Sequence, residues 1–202
     1  SASMRPKLAA DHAAAEVEVT AKLNATVNAT AEVAVRITLD GCEAAAAAER
    51  YKVAPGETAV RLQLSVPQPR LWWPNGSGEQ PLYEAEIAVR LVPDGGADGS
   101  PSRAAGASGG QGDAGGIGGV ADSDAKRIRF GIRTIELVRN ETPDDTALPY
   151  TFVVNGRKLY IRGWNWVPID VMYGVERPAK LNRLLQLAKR ANVNMLRVWG
   201  GG

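Results

Sequence analysis

Tyr150-Thr-Phe-Val-Val-Asn155-Gly156-Arg-Lys-Leu-Tyr160-Ile-Arg-Gly163-Trp164-Asn165-Trp166-Val-Pro-Ile-Asp170, followed after a helical stretch by Val193-Asn-Met-Leu-Arg197-Val-Trp199-Gly-Gly-Gly202, decides how the carboxyl-terminal part of the chain folds. Phe152 to Ile161 reads as a hairpin, because Asn155-Gly156 is the pair that a two-residue turn with positive φ favours. Pro178 suits the first turn of a helix. Leu181, Leu184, Leu185, Ala188 and Ala191 then make an apolar stripe at helical spacing, with Lys180, Arg183, Lys189 and Arg190 facing out. Val193 to Val198 reads as the next strand. Strand, helix, strand at this length is the unit of a parallel sheet or barrel.

Working back toward the amino terminus, the period changes to two. Val17, Val19, Ala21 and Leu23 alternate with Glu16, Glu18, Thr20, Lys22 and Asn24; Ala31, Val33, Val35, Ile37 and Leu39 repeat the pattern. Such alternation marks strands with one buried face. Asp40-Gly41 and Pro55-Gly56 are turn signals. The alanine run 44–48 favours helix by propensity but sits among strands, which predicts a strand edge or a loop. Val60, Leu62, Leu64 and Val66 give another half-buried strand, ended by Pro67 and Pro69. Leu71-Trp72-Trp73-Pro74-Asn75-Gly76 is a stiff aromatic loop, and Leu82 to Leu91 a further strand. Residues 93–125 hold almost no large apolar side chain and are expected to form a disordered hairpin insertion. Arg127 to Val138 resumes the strand, expected to pair with 82–91 across the insertion. Loop closure costs only the logarithm of loop length, so a long insertion is tolerable.

These strands predict an immunoglobulin-like β-sandwich over 1–140. A linker over 141–149 and an incomplete parallel β/α segment over 150–202 follow it. The fold class is therefore mainly β, a sandwich followed by one β-α-β unit of a parallel sheet or barrel.

Bulk properties narrow the partners. A formal net charge of +2 on 202 residues argues for neither a nucleic-acid nor a membrane partner. One cysteine, Cys42, rules out an intrachain disulfide, and the one histidine, His12, lies in a polar amino-terminal stretch. Together they cannot form a zinc site, and no cofactor or metal is expected. No P-loop pattern follows a strand. Four Asn-X-Ser/Thr sequons occur, at Asn24, Asn28, Asn75 and Asn140, against about one expected by chance from ordinary composition. Their use would imply a lysosomal, vacuolar or secretory compartment; in a bacterial protein, which would be cytoplasmic, they would carry no meaning. The compartment and the oligomeric state stay open.

In parallel α/β architectures ligands sit at the carboxyl ends of strands. Here those ends offer Trp164 and Asn165, then Arg197 and Trp199. An indole can stack on a sugar ring, a guanidinium can bond hydroxyl or carboxylate, and a primary amide both donates and accepts. Asp170 can accept from hydroxyls. The same tryptophans also serve elsewhere as plugs at the end of a barrel core. Retaining hydrolysis of a glycosidic bond needs two carboxyl groups about 5–5.5 Å apart. After residue 150 the acids are Asp170 and Glu176, neither beside a second acid at a strand end. No catalytic pair is expected within the chain.

Five motifs in order carry a resemblance: Leu71-Trp-Trp-Pro-Asn-Gly-Ser-Gly-Glu-Gln-Pro-Leu-Tyr83, Phe130-Gly-Ile-Arg-Thr-Ile-Glu136, Phe152-Val-Val-Asn-Gly156, Arg162-Gly-Trp-Asn-Trp-Val-Pro-Ile-Asp170 and Asn194-Met-Leu-Arg-Val-Trp-Gly-Gly-Gly202. Together they resemble glycoside hydrolase family 2, and the Trp-Trp-Pro-Asn-Gly and Arg-Val-Trp-Gly-Gly-Gly forms are most similar to its β-mannosidases. The resemblance implies a jelly-roll domain, an immunoglobulin-like sandwich and a catalytic barrel, so that this chain would be the sandwich followed by the first β-α-β segment of a truncated (β/α)8 barrel. It implies an exo-acting, retaining enzyme that removes terminal β-linked mannose from oligosaccharides or glycoproteins with two glutamates. Those glutamates would lie beyond Gly202, so this chain alone is expected to be an inactive fragment. Arg197 and Trp199 match positions lining the terminal-sugar subsite; Asn165, Asp170 and Trp164 belong to the motif at the first barrel strand. Exo-β-glucosaminidase or β-galactosidase activity is a close rival. A non-catalytic sandwich binding or interaction module is the alternative from another class.

Overall fold

A computed structural model describes residues 1–92, 124–141, 149–172, 175 and 177–200. In chain order the strands are β1 (Ala2–Leu8), β2 (Ala14–Ala25), β3 (Ala29–Leu39), β4 (Cys42–Val53), β5 (Gly56–Pro67), β6 (Tyr83–Val92), β7 (Asp124–Phe130), β8 (Ile135–Arg139), β9 (Tyr150–Val154), β10 (Arg157–Leu159) and β11 (Gly163–Trp166). The helix α1 (Pro178–Arg190) and β12 (Met195–Val198) follow. The expected insertion lies outside the described residues except for Asp124 and Ala125, which open β7 instead; the linker lies outside them over 142–148.

The fold is mainly β. One sheet has the order β1-β2-β5 and another β4-β3-β6-β7. This is an immunoglobulin-like sandwich in which the fourth strand joins the sheet of the third rather than that of the first. Alternation puts one face of β2, β3, β5 and β6 inside, as the sequence predicts. The alanine run lies on β4, at the edge of its sheet, and packs antiparallel on β3 from Ala29↔Val53 to Leu39↔Cys42 with an irregularity between Ile37 and Thr38. Asp40 and Gly41, at φ 51° and 82°, make the tight turn between β3 and β4.

Two expectations need correction. The amino-terminal stretch, for which no strand is predicted, forms β1, an edge strand that tolerates Pro6 because an edge strand leaves N–H positions unpaired. The single strand expected from Arg127 to Val138 is two strands. Gly131 lies against the Trp72 side chain, where an added Cβ would come within 2.9 Å, and Ile132 O accepts from Trp72 N at 2.9 Å. The chain leaves the first ladder there: β7 stays beside β6, as expected, while β8 pairs with β9.

The chain divides into two compact units. The first holds Ser1–Arg5, Val17–Leu64 and Glu84–Ile128. Its interior is Val17, Val19, Ala21, Ala31, Val33, Val35, Ile37, Val60, Leu62, Leu64, Ala85 and Ile87, none more than 3% exposed. The other face of the β3 sheet carries charge in register. Glu32 stands opposite both Arg50 and Arg90, and Arg36 opposite Glu86. Arg50 Nε reaches Glu32 Oε2 at 3.1 Å, and Arg90 pairs with the other oxygen of the same carboxylate. Glu86 takes Arg36 at 2.8 Å and Arg127 at 3.0 Å. Partial burial works against the Glu32 charge, yet the Arg50 and Arg90 guanidiniums together outweigh it and hold this carboxyl below its ordinary value. The hydrogen bonds from Arg36 and Arg127 lower that of Glu86.

The second unit holds Pro6–Glu16, Ser65–Tyr83 and Arg129–Gly202. Tyr83, 2% exposed, accepts from Arg70 N–H at 2.9 Å through its phenolic oxygen. A tyrosine at the start of this strand, tied back to upstream backbone, is a corner device of immunoglobulin-like sandwiches. The expected hairpin is present: β9 and β10 pair antiparallel, and Asn155 and Gly156 turn the chain at φ 48° and 76°.

Candidate functional site

β11 and β12 pair in parallel, with Gly163↔Met195, Trp164↔Leu196, Asn165↔Arg197 and Trp166↔Val198. α1 connects them, so the strand-helix-strand unit read from the sequence is present. The ladder continues one residue past β12, where Trp199 N donates to Trp166 O at 2.8 Å. The carboxyl ends of both strands therefore lie side by side.

This register places Asn165 and Arg197 directly opposite on one sheet face. Arg197 Nη1 donates to Asn165 Oδ1 at 3.3 Å. The amide thus orients the guanidinium and leaves its remaining donors for another group. Trp164 and Trp166 belong to the opposite face, since successive strand side chains alternate. Trp164 is 42% and Trp199 56% exposed. Large indoles this open present an apolar surface next to fixed polar groups, the composition of a polar-ligand site with an apolar face.

Asp170 lies in the loop between β11 and α1. Its Oδ1 accepts from Met172 N at 3.1 Å and its Oδ2 from Arg177 Nε at 3.1 Å. The Met172 amide, then the Arg177 guanidinium, hold its carboxyl below the ordinary range. The carboxylate is charged at neutral pH and pins the residues leading into α1. Arg177 precedes the helix, Pro178 fills its first turn as expected, and Lys189 and Arg190 favourably face its carboxyl-terminal dipole.

A second set of residues holds this unit from the amino ends of the strands. Asn194 Oδ1 accepts from Arg162 N at 2.9 Å, Asn194 Nδ2 donates to Tyr160 O at 2.9 Å, and Asn194 N donates to Arg162 O at 3.0 Å. Arg162 Nε donates to Asn192 O at 2.8 Å. Asn192, at φ 56°, ends α1 in the left-handed conformation, with Asn192 N bonded to Lys189 O and Val193 N to Ala188 O. That is the Schellman pattern with asparagine in the glycine position.

The aromatic loop 71–76 is a structural clamp. Arg133 lies over the Trp72 ring and Arg157 over the Trp73 ring, each 4.4 Å from the centroid. Arg157 also donates to Ser77 O at 2.5 Å. Asn155, buried at 6% exposure, accepts from Thr134 N at 2.9 Å and donates to Trp72 O at 3.1 Å. Asn75 Nδ2 donates to Lys189 O at 2.9 Å and to Val193 O at 3.1 Å. This sequon asparagine thus has its side-chain nitrogen committed. Nothing local in the sequence marks the long-range roles of Tyr83, Asn75, Asn155 and Asn194. Their partners lie far away along the chain, and no periodicity signals such pairs.

The profile described as Glycosyl hydrolases family 2 matches residues 1–100. A "Beta-mannosidase B" of Aspergillus terreus is 28% identical over 195 residues, 96% of this chain and 19% of the relative. The crystal structure of a β-D-mannosidase from Dictyoglomus thermophilum superposes with a TM-score of 0.71 at 26% identity, over 100% of this chain and 21% of that one.

The chain belongs to glycosyl hydrolases family 2.

Among its family-2 relatives, the "Beta-mannosidase" of Bos taurus is 30% identical over 150 residues, 73% of this chain and 14% of the relative. The exo-chitosanase of Amycolatopsis orientalis shares the fold, with a TM-score of 0.66 at 20% identity over 98% of this chain and 19% of that one. This family-2 chain therefore spans about a fifth, or less, of the relatives it matches. The resemblance to the family and to its β-mannosidases holds.

Proposed function

We propose that this chain supplies the first part of the sugar-facing rim of an exo-acting, retaining β-mannoside hydrolase. The observation that carries the reading is the parallel register setting Asn165 against Arg197, with Trp199 one step beyond on the same ladder. Arg197, oriented by Asn165, would bond sugar hydroxyls. Trp199 would stack on the ring, while Trp164, on the other face of β11, would stand away from that contact. Asp170 would shape the loop beside them. The β11-α1-β12 unit would begin a (β/α)8 barrel, in which such strand ends form the active-site face. The sandwich would precede it as a separate domain, with 141–149 as the linker.

The mannoside is favoured because relatives named as β-mannosidases match both in sequence and, at 26% identity, in structure. The substrate would be terminal β-linked mannose on oligosaccharides or glycoproteins. The acid/base and nucleophile glutamates of the retaining mechanism have no counterpart pair in 150–202, whose acids are Asp170 and Glu176. Hydrolysis is accordingly proposed for a protein of the relatives' length, and the 202-residue chain is expected to release no p-nitrophenol from its β-mannoside.

The test is Trp199→Ala in a protein of that length carrying this segment. The variant should lower kcat/KM for p-nitrophenyl β-mannoside at least about tenfold, which corresponds to about 1.4 kcal/mol of transition-state binding. Its melting temperature should stay unchanged, since Trp199 is exposed. Unchanged kinetics would remove Trp199 from the sugar site. A preference for the β-glucosaminide or β-galactoside would replace mannose as the substrate.

A further inference from the structure

We propose that Asn75 is a positioning residue: through both hydrogens of its side-chain amide it holds the turn between α1 and β12, and so fixes where Arg197 stands at the far end of β12. The inference rests on the proposed sugar site only where it assigns a purpose to that position.

Three observations support it. Asn75 donates to two carbonyls on different segments, Lys189 in the last turn of α1 and Val193 in the lead-in to β12. A simple helix cap would need only the first. The approach is close, because Gly76, at φ 74°, would place a Cβ 3.3 Å from Arg162 Nη2. Arg162 in turn grips Asn192 O and pairs through its backbone with Asn194. Asn75 thus touches the same turn that Arg162 and Asn194 tie to the start of β11.

The effect reaches the rim because a strand transmits register. Val193 and Arg197 are four residues apart, about 13 Å of extended chain. A slip of one residue turns every side chain of a strand to the other face. Arg197 would then lose Asn165. β12 is four residues long and has β11 as its neighbour among the described residues. Its own ladder is short, so the anchor at its entrance has a large share in choosing the register.

The test uses the 202-residue chain with Asn75→Ala and Asn75→Asp, read by amide hydrogen-exchange protection factors. In Asn75→Ala, protection at Asn192, Val193, Asn194 and Trp199 should fall about tenfold or more, the scale of one or two lost hydrogen bonds. Protection in β3 should not change. Asn75→Asp should match Asn75→Ala at pH 7, where a carboxylate cannot donate. At about pH 3.5 its protonated carboxyl can donate one bond, so part of the protection should return relative to wild type at the same pH. A side chain that only fills space would show no such recovery. Protection within about twofold of wild type in Asn75→Ala, or no difference between Asn75→Asp and Asn75→Ala at the lower pH, would overturn the proposal.

A second arm separates it from the sugar reading. Titration with p-nitrophenyl β-mannoside, followed at the Trp199 indole N–H, should shift that signal in wild type and shift it less in Asn75→Ala. No shift in wild type, with exchange accelerated in the variant, would leave the clasp in place and remove its assigned purpose. Equal shifts in both proteins, with exchange accelerated, would show that Asn75 does not position the rim.

Discussion

The sandwich interior and the β11-α1-β12 segment are held by different physics. In the first, twelve apolar side chains from four strands are at most 3% exposed, and each strand's inward face meets another inward face. In the second, the helix stripe is only partly covered among the described residues. Leu181 and Leu185 are 37% and 40% exposed, Leu184 is half-buried, and Ala188 is the buried residue of α1. What fixes this segment is a set of polar side chains that grip backbone: Asn75, Arg162 and Asn194. An apolar core holds elements without direction, whereas hydrogen bonds to carbonyls specify register. The proposed site, which would depend on Arg197 facing Asn165, needs the second kind of restraint.

The largest effect should come from cutting the sandwich interior. Leu62→Ala should cost about 2–5 kcal/mol of unfolding free energy in urea, because the deleted methyl groups leave a cavity in a packed core. A loss below about 1 kcal/mol would show the interior to be no better packed than the helix stripe, and the contrast would fail. A smaller effect should come from the charged face of the same sheet. The Glu32 and Glu86 carboxyls titrate below their ordinary 4.5 in the folded chain. A depressed folded value gives stability that is present above the unfolded pKa and is lost as pH falls through the folded one. Melting temperature should therefore drop on acidification from about pH 5 downward. Glu86→Gln should flatten part of that slope, and an unchanged slope would remove Glu86 from the effect. The smallest change should follow Leu185→Gln in the helix stripe. At 40% exposure this leucine should contribute within about 0.5 kcal/mol. A loss of several times that would mean the stripe is covered in solution.

Much of the architecture was legible because it is periodic. Val17 to Leu23, Ala31 to Leu39 and Val60 to Val66 alternate, and those strands lie with the predicted faces inside. Asn155-Gly156 announced its hairpin for a local reason, the need for positive φ. β1 was missed because Arg5, Pro6 and Lys7 dilute its alternation. The break after Phe130 was missed because its cause is Trp72, nearly sixty positions earlier, against a glycine that reads locally as one more strand residue. For the site, the residue types at the strand ends were legible, as was the parallel unit carrying them. The pairing of Asn165 with Arg197 needed the register. The partnership of Asp170 with Arg177 needed the loop path, which alternation does not encode.

The two adjacent indoles of the clamp have a spectroscopic consequence. Trp72 lies between Gly131 and the Arg133 guanidinium, and Trp73 between Gly78 and that of Arg157. Both rings are braced by groups that do not belong to the rim. The more open rings, Trp164 and Trp199, stand at the strand ends. The chain's five tryptophans therefore include a braced pair whose emission reports the integrity of the fold and an accessible pair that a quencher reaches first, with the half-buried Trp166 as a constant background. Their ratio is an internal standard that needs no added dye.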